Sequence, residues 1–251
     1  VPRDWDAPTY DRIADPQARW GRKILDRLPL AGDESVLDAG CGSGRVTEAL
    51  LARVPRGRVV GLDGSPRMIA EARRRLATRV AFVVADLRAP LPFAAAFDAV
   101  FSTATFHWIP DHDALFRELA AVLRPGGRLV AQCGGAGNAA SVRAALDAVG
   151  EPWDPWSFAT PEATRQRLES AGFVEVEAWL APEPTTFASR QALETFLATV
   201  VLGAHLERRP AAERAGFVRA VAAALPALAV DYVRLNFVAR RAPGAPPRPG
   251  T

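Results

Sequence analysis

The stretch that most constrains this chain is Val36-Leu37-Asp38-Ala39-Gly40-Cys41-Gly42-Ser43-Gly44. An apolar strand pattern runs into an acidic residue and then into three glycines two apart. Behind it Val46, Ala49, Leu50 and Val54 recur three or four residues apart, the period of an amphipathic helix. Glycine is required where the backbone turns at positive φ, or where a ligand approaches closer than a Cβ permits. A glycine turn between strand and helix therefore predicts a parallel α/β sheet with a nucleotide-like cradle at the carboxyl ends of its strands. The spacing also excludes. A dinucleotide fingerprint needs a third glycine where the chain has Arg45, and no Gly-Lys-Ser/Thr follows to make a phosphate loop.

Two further apolar runs end in carboxylates. Arg58 to Asp63 predicts a second strand, and Asp63 stands nineteen positions after Gly44, close to the roughly 20-residue offset at which an acidic residue meets a ribose. A carboxylate has two acceptor oxygens, enough for both ribose hydroxyls. Ser65-Pro66 opens a helix with Ser as N-cap and Pro in the first turn. Met68, Ile69, Ala72 and Leu76 form its buried face, with Met68 a core residue or a contact for a flat ring. Arg79 to Asp86 predicts a third strand and Phe97 to Ala104 a fourth. Leu115, Leu119, Val122 and Leu123 mark the next helix, and Pro125-Gly126-Gly127 turns into a fifth strand.

Taken together, "VLDAGCGSG", "GLDGS", "AD" and "FDAVFSTATFHWIPDHDALFRELAAVLRPGGRLV" resemble the class I S-adenosylmethionine (SAM) methyltransferases over residues 35–133. The run Trp108-Ile109-Pro110-Asp111-His112 after strand four resembles the trans-aconitate methyltransferase-like subgroup that works on small molecules. The resemblance implies a doubly wound, mostly parallel, seven-stranded Rossmann-like sheet with helices on both faces. It implies SAM as cofactor and S-adenosylhomocysteine as its product. Asp38, Gly40, Cys41, Gly42 and Gly44 would follow the cofactor, with Asp63 and Gly64 at its ribose. Asp86 and Leu87 would hold the adenine, Met68 and Ser102 would lie beside the cofactor, and Tyr10 would come from an N-terminal segment closing over it.

His107, just past strand four, is the candidate for a base or an acceptor-orienting donor, since its unperturbed pKa lies near 6.5. A structural histidine packed on Trp108 is the plainer alternative. Trp108, Trp153 and Trp156 are candidate walls for the acceptor. An acidic acceptor would pair with an arginine, but thirty arginines leave that residue unidentified.

Past strand five, Asn138 to Val149 reads as a helix and Glu151 to Phe158 as an aromatic, proline-rich loop. Thr160 caps another helix, which Gly172 ends before the strand Phe173–Trp179. Residues 189–225 read as two helices broken at Arg209-Pro210, and Asp231 to Arg240 reads as a last strand. The expectation is one domain over 1–241, with a lid or helix at 1–30, a helical cap at 185–230 inserted before the last strand, and a disordered tail at 242–251.

The pI of 9.4 suggests a polyanion partner, yet net charge is only +3 and the arginines are spread along the chain, with Lys23 the sole lysine. Arg73-Arg74-Arg75 reads as a solvated helix face, so no nucleic-acid partner is expected. Two cysteines make no disulfide framework, and His107, His112 and His205 have no zinc-ligand spacing, so no metal is expected. The start of the chain shows no signal-peptide pattern and no apolar run is long enough to span a membrane. A cytoplasmic monomer or homodimer is the expectation.

The function expected is methyl transfer from SAM to a small organic acceptor, with carboxylate O-methylation preferred. Phenolic oxygen, nitrogen or carbon acceptors remain open. So do an NAD(P)-dependent oxidoreductase and a SAM-binding protein without transfer activity.

Overall fold

In the computed structural model, which describes residues 15–244, the apolar runs pair side by side into a seven-stranded sheet. In chain order the strands are β1 (Ser35–Ala39), β2 (Arg58–Asp63), β3 (Ala81–Val84), β4 (Phe97–Thr103), β5 (Leu123–Gly134), β6 (Phe173–Pro182) and β9 (Val233–Arg241). Across the sheet they run β3-β2-β1-β4-β5-β9-β6. The first five are mutually parallel, and β9 lies antiparallel between β5 and β6. The strand that comes last in the chain is therefore interior and β6 forms the edge.

The sheet is buried on both faces, as a doubly wound topology demands. Every residue of β1 is buried. On one face Leu37, Val100, Leu129 and Phe237 pack under Leu115, Phe116 and Leu119 of helix α4 (His112–Val122) and Leu168 of α6 (Pro161–Ser170). On the other, Val36, Val59, Phe101 and Val130 meet Ile24 and Leu25 of α1 (Asp15–Leu25), Leu50 of α2 (Arg45–Arg53) and Leu76 of α3 (Pro66–Leu76). The helix starts follow local chemistry. Ser65 Oγ accepts from the Met68 N–H at 3.2 Å, Asp111 from Ala114 at 2.8 Å, and Thr160 from Ala163 at 3.2 Å, each satisfying a first-turn donor the helix cannot.

β5 begins earlier than the glycine pair suggests. Leu123 already pairs with Phe97, and the register shifts before Ala99 meets Arg128. Pro125-Gly126-Gly127 is thus a bulge inside the strand, with Gly126 at φ +80°.

After α5 (Ala140–Ala148) and α6, the chain makes one excursion between β6 and β9. Two short strands, β7 (Thr185–Thr186) and β8 (Ala229–Val230), pair antiparallel across its neck. Between them run α7 (Arg190–Phe196), a π-type turn (Leu197–Val201), α8 (Gly203–Glu207) and α9 (Ala211–Ala224). The break after Glu207 coincides with Arg209-Pro210, while the first of the two expected helices is itself divided by the wide turn. Leu193, Phe196, Val201 and Val221 of this excursion share a third core with Trp20, Val142 of α5 and Tyr232. Tyr10, with residues 1–14 of the expected N-terminal lid and 245–251 of the expected tail, lies outside the described residues.

Candidate active site

One cavity of about 600 Å³ follows the carboxyl ends of the strands, within the size range of small-molecule and cofactor sites. Sheet order sets its polarity, with Asp63 at the end of β2 and Asp86, two residues past a β3 shorter than the expected Arg79–Asp86, toward one side and β5 and β9 toward the other.

The first wall is the glycine loop. Gly40, Gly42 and Gly44 all have positive φ (+84°, +54° and +83°), yet only the first two face the cavity. A Cβ on Gly40 would lie 2.1 Å from Thr105 Oγ1, whereas one on Gly42 would meet nothing within 4 Å. Gly40 is therefore demanded by the β4 side of the molecule, and Gly42 keeps open the space that a ligand would fill. The loop is braced from behind. Ser102 Oγ donates to the Ala39 carbonyl at 2.6 Å, and Thr47 Oγ1 donates to Asp38 at 2.7 Å. Burial, opposed by the Thr47 hydrogen bond and reinforced by the Asp63 charge, pushes the Asp38 pKa up to about 7.

Asp63 stands on the cavity wall beside Gly64 and Ser65. One carboxylate oxygen accepts from the Gly42 N–H at 2.9 Å, and the other from the Ser65 N–H at 2.8 Å. Burial raises its pKa and the two N–H donors oppose that. Met68, Asp86, Leu87 and Arg88 continue the wall. Arg88 grips Asp86 from its Nε and a terminal nitrogen at 2.8–3.1 Å and holds its carboxyl below the usual range. Of the residues suggested for the cofactor, Gly40, Gly42, Asp63, Gly64, Met68, Asp86 and Leu87 share the cavity. Asp38, Cys41, Gly44 and Ser102 do not line it. They serve the loop as struts and packing: a Cβ on Gly44 would press on Ala72 and Leu76, and Asp38, Cys41 and Ser102 are buried.

The far wall is aromatic. His107, Trp108, Trp153 and Trp156 all line the cavity, joined by Phe158, Tyr232 and, from the excursion, Val200, Val201, Ala204 and Glu207. The Trp156 and Phe158 rings stack at 5.7 Å, and the Ser157 N–H donates to the His107 carbonyl at 2.8 Å. Desolvation, then the charges of Arg234 and His112, hold the His107 pKa well below 6.5.

Arg234 was not singled out from the sequence. It lines the cavity from β9, is 2 % exposed, and is the one buried arginine among the described residues. Its guanidinium lies 4.7 Å from the Trp20 ring and 5.8 Å from that of Tyr232, and Nε donates to Gln132 Oε1 at 3.3 Å. A partial signal existed: Arg234 stands between the apolar Val233 and Leu235 in the last strand, and a cation is rarely buried without a partner.

The residues present suit SAM: an open glycine turn, an anchored carboxylate at the second strand end, and a neighbouring wall that offers both an acid and an apolar surface. Fold and cavity define a class I SAM-dependent methyltransferase. Residues 36–127 match the methyltransferase domain family. The chain is 32% identical to a trans-aconitate 2-methyltransferase of Paracidovorax citrulli, across 95% of itself and 98% of that protein. It is 41% identical to the enzyme of the same name from Methylobacterium nodulans, over 70% of itself and 67% of the relative. A Haemonchus contortus phosphoethanolamine N-methyltransferase solved with S-adenosylhomocysteine superposes with a TM-score of 0.65 at 23% identity, covering 94% of this chain and 56% of the other. At that identity the likeness speaks to the fold alone. The chain belongs to the SAM-dependent methyltransferase family, and SAM is its methyl donor.

Among the described residues no cluster of three or more histidine, cysteine or acidic side chains is placed to hold a metal ion, and no helix is long and apolar enough to cross a membrane.

Proposed function

We propose that the protein methylates a carboxylate of a small acid carrying two or more carboxyl groups, of the kind named for its relatives. The observation that carries this is Arg234. A guanidinium held on a buried strand, between an aromatic ring and Gln132, presents a permanent positive charge beside the aromatic wall of the cavity. Such a group selects a carboxylate by a forked, charge-assisted hydrogen bond.

Gly40, Gly42 and Gly64 would admit the cofactor backbone, Asp63 would accept its ribose hydroxyls, and Asp86 with Leu87 and Met68 would hold its ring. Bound SAM supplies a methyl group already activated by a sulfonium. What remains for the chain is alignment, and proximity alone is worth up to about 7–11 kcal/mol in well-ordered systems. Arg234 would fix one carboxylate of the acceptor so that another is aimed at the cofactor end. Trp108, Trp156 and Phe158 would exclude water and strengthen that charge pairing. Residues 185–230 would act as a cap, and Glu207 on that cap would disfavour acceptors whose charge is placed elsewhere.

The test is methyl transfer to a panel of di- and tricarboxylic acids, with Arg234→Gln beside the parent protein. The expected result is turnover of a polycarboxylic acid and a rise in its KM of at least about a hundredfold in the variant, as befits a buried charge-assisted pair. S-adenosylhomocysteine affinity should stay within about threefold. Turnover confined to amines or phenols would overturn the reading.

A further inference from the structure

From the hydrogen bond at its Nδ1 we infer that His107 serves as a fixed hydrogen-bond donor to the acceptor's carboxylate and does not serve as a base. The inference rests on the carboxylate reading above and adds the protonation state in which the acceptor must arrive.

The Gly134 N–H donates to His107 Nδ1 at 3.3 Å. A backbone amide is only ever a donor, so the nitrogen facing it must carry a lone pair. In a neutral imidazole one nitrogen bears the proton and the other accepts. The His107 proton therefore resides on Nε2. A base acting through Nε2 would need the opposite tautomer, with an Nδ1 proton pressed against the Gly134 N–H. Gly134 cannot yield: it is the last residue of β5 and pairs in register with Arg234. The imidazole cannot yield either, since its ring lies 5.2 Å from Trp108 and stacks on Phe158 at 6.0 Å.

The charged and titratable neighbours agree. Arg234 on β9, His112 on α4 and the Cys133 thiol on β5 surround the ring. The first two disfavour a second proton, and burial pushes the thiol up to about 12, so no anion forms there to invite one. Among the described residues Glu207 is the acid on the same aromatic wall. His107, which lines the cavity and lies within reach of the Arg234 charge, would thus present one neutral N–H to an acceptor. Methylating an ionised carboxylate consumes an anion, gives a neutral ester and releases no proton, so it needs a donor to hold the oxygen and no base. A phenol or alcohol would need one.

The decisive measurement is the nitrogen-15 spectrum of the full chain labelled at histidine, with the His107 signal assigned by its loss in His107→Gln. The expected result is one neutral tautomer protonated at Nε2, unchanged from about pH 5.5 to 9. A proton on Nδ1, or titration near the ordinary 6.5, overturns the inference whether or not any acceptor is turned over. Turnover supplies the second readout. His107→Gln keeps an N–H donor but no basic nitrogen, and should retain kcat/KM within about fivefold with a flat profile from about pH 6.5 to 9. His107→Ala should lose about ten- to a hundredfold, the worth of one hydrogen bond to a charged group. A rate rising with pH in the parent protein and flat in His107→Gln would identify a base and overturn the assignment. Failure of every carboxylic acid would sink the carboxylate reading while leaving the tautomer result in place.

Discussion

Gly40 and Gly42 share a sign of φ but not a neighbourhood, and their alanine variants should fail differently. Gly40→Ala forces a Cβ into Thr105 in a left-handed conformation and should cost about 2–4 kcal/mol of stability. Gly42→Ala meets open space and should cost only about 1–2 kcal/mol, while weakening S-adenosylhomocysteine binding at least about tenfold. Chemical denaturation separates the two from each other, and calorimetric titration separates stability from binding. Asp63→Ala removes the acceptor of two backbone donors and, in the function proposed above, of the ligand's hydroxyls. By titration calorimetry the loss of affinity should reach about a hundredfold or more, since hydrogen bonds to a charged group are worth about 1.5–3 kcal/mol each. Asp63 was legible from its spacing behind the glycine turn. His107 was legible as a residue with two possible roles, base or donor; the Gly134 amide that favours the donor in our reading is twenty-seven positions away. Arg234 was written plainly in the last strand, yet only pairing with β5 and the approach of Trp20 turn one arginine among thirty into a site residue.

At the scale of elements, the excursion between β6 and β9 meets the aromatic loop through His205, Arg208 and Arg209. Arg209 of the break reaches Glu151 at 2.5 Å and lies 3.6 Å from the Phe217 ring centroid. His205 of α8, fully buried, shares a hydrogen bond through Nε2 with the Trp153 carbonyl at 3.0 Å. Arg209→Ala should raise the acceptor KM several-fold while lowering stability by about 1 kcal/mol, the scale of one partly exposed pair; steady-state kinetics and a melting curve check both halves. His205 gives the same contact a pH dependence. Burial lowers its pKa below 6.5, so the unfolded chain binds a proton first as pH falls. Its contribution to stability is complete above about pH 6.5 and is lost progressively below that value. The parent protein should therefore lose more melting temperature between about pH 7.5 and 5.5 than His205→Gln does. The break at Arg209-Pro210 could be read because proline ends a helix. The wide turn at Leu197–Val201 and the two-residue strands β7 and β8 could not, since segments so short carry no period.

For the whole molecule, ligand binding and folding are one equilibrium. S-adenosylhomocysteine at about a hundred times its Kd should raise the melting temperature by about 5–10 °C, and Asp63→Ala should show no such rise at the same concentration. The topology was legible in outline, because acidic residues at the ends of successive apolar runs place those ends on one side of a parallel sheet. The order of the last strands was not, since nothing within Val233–Arg241 states that it enters between β5 and β6. The neck formed by β7 and β8 sets how the excursion takes a change of length. The chain leaves the sheet and returns to it through one short ribbon, with Phe187 N–H bonded to the Leu228 carbonyl just inside it. Everything between is a handle whose two roots are already joined, so a change of length on its outer side is contained at the ribbon, while its buried side stays committed to the core it shares with Trp20, Val142 and Tyr232.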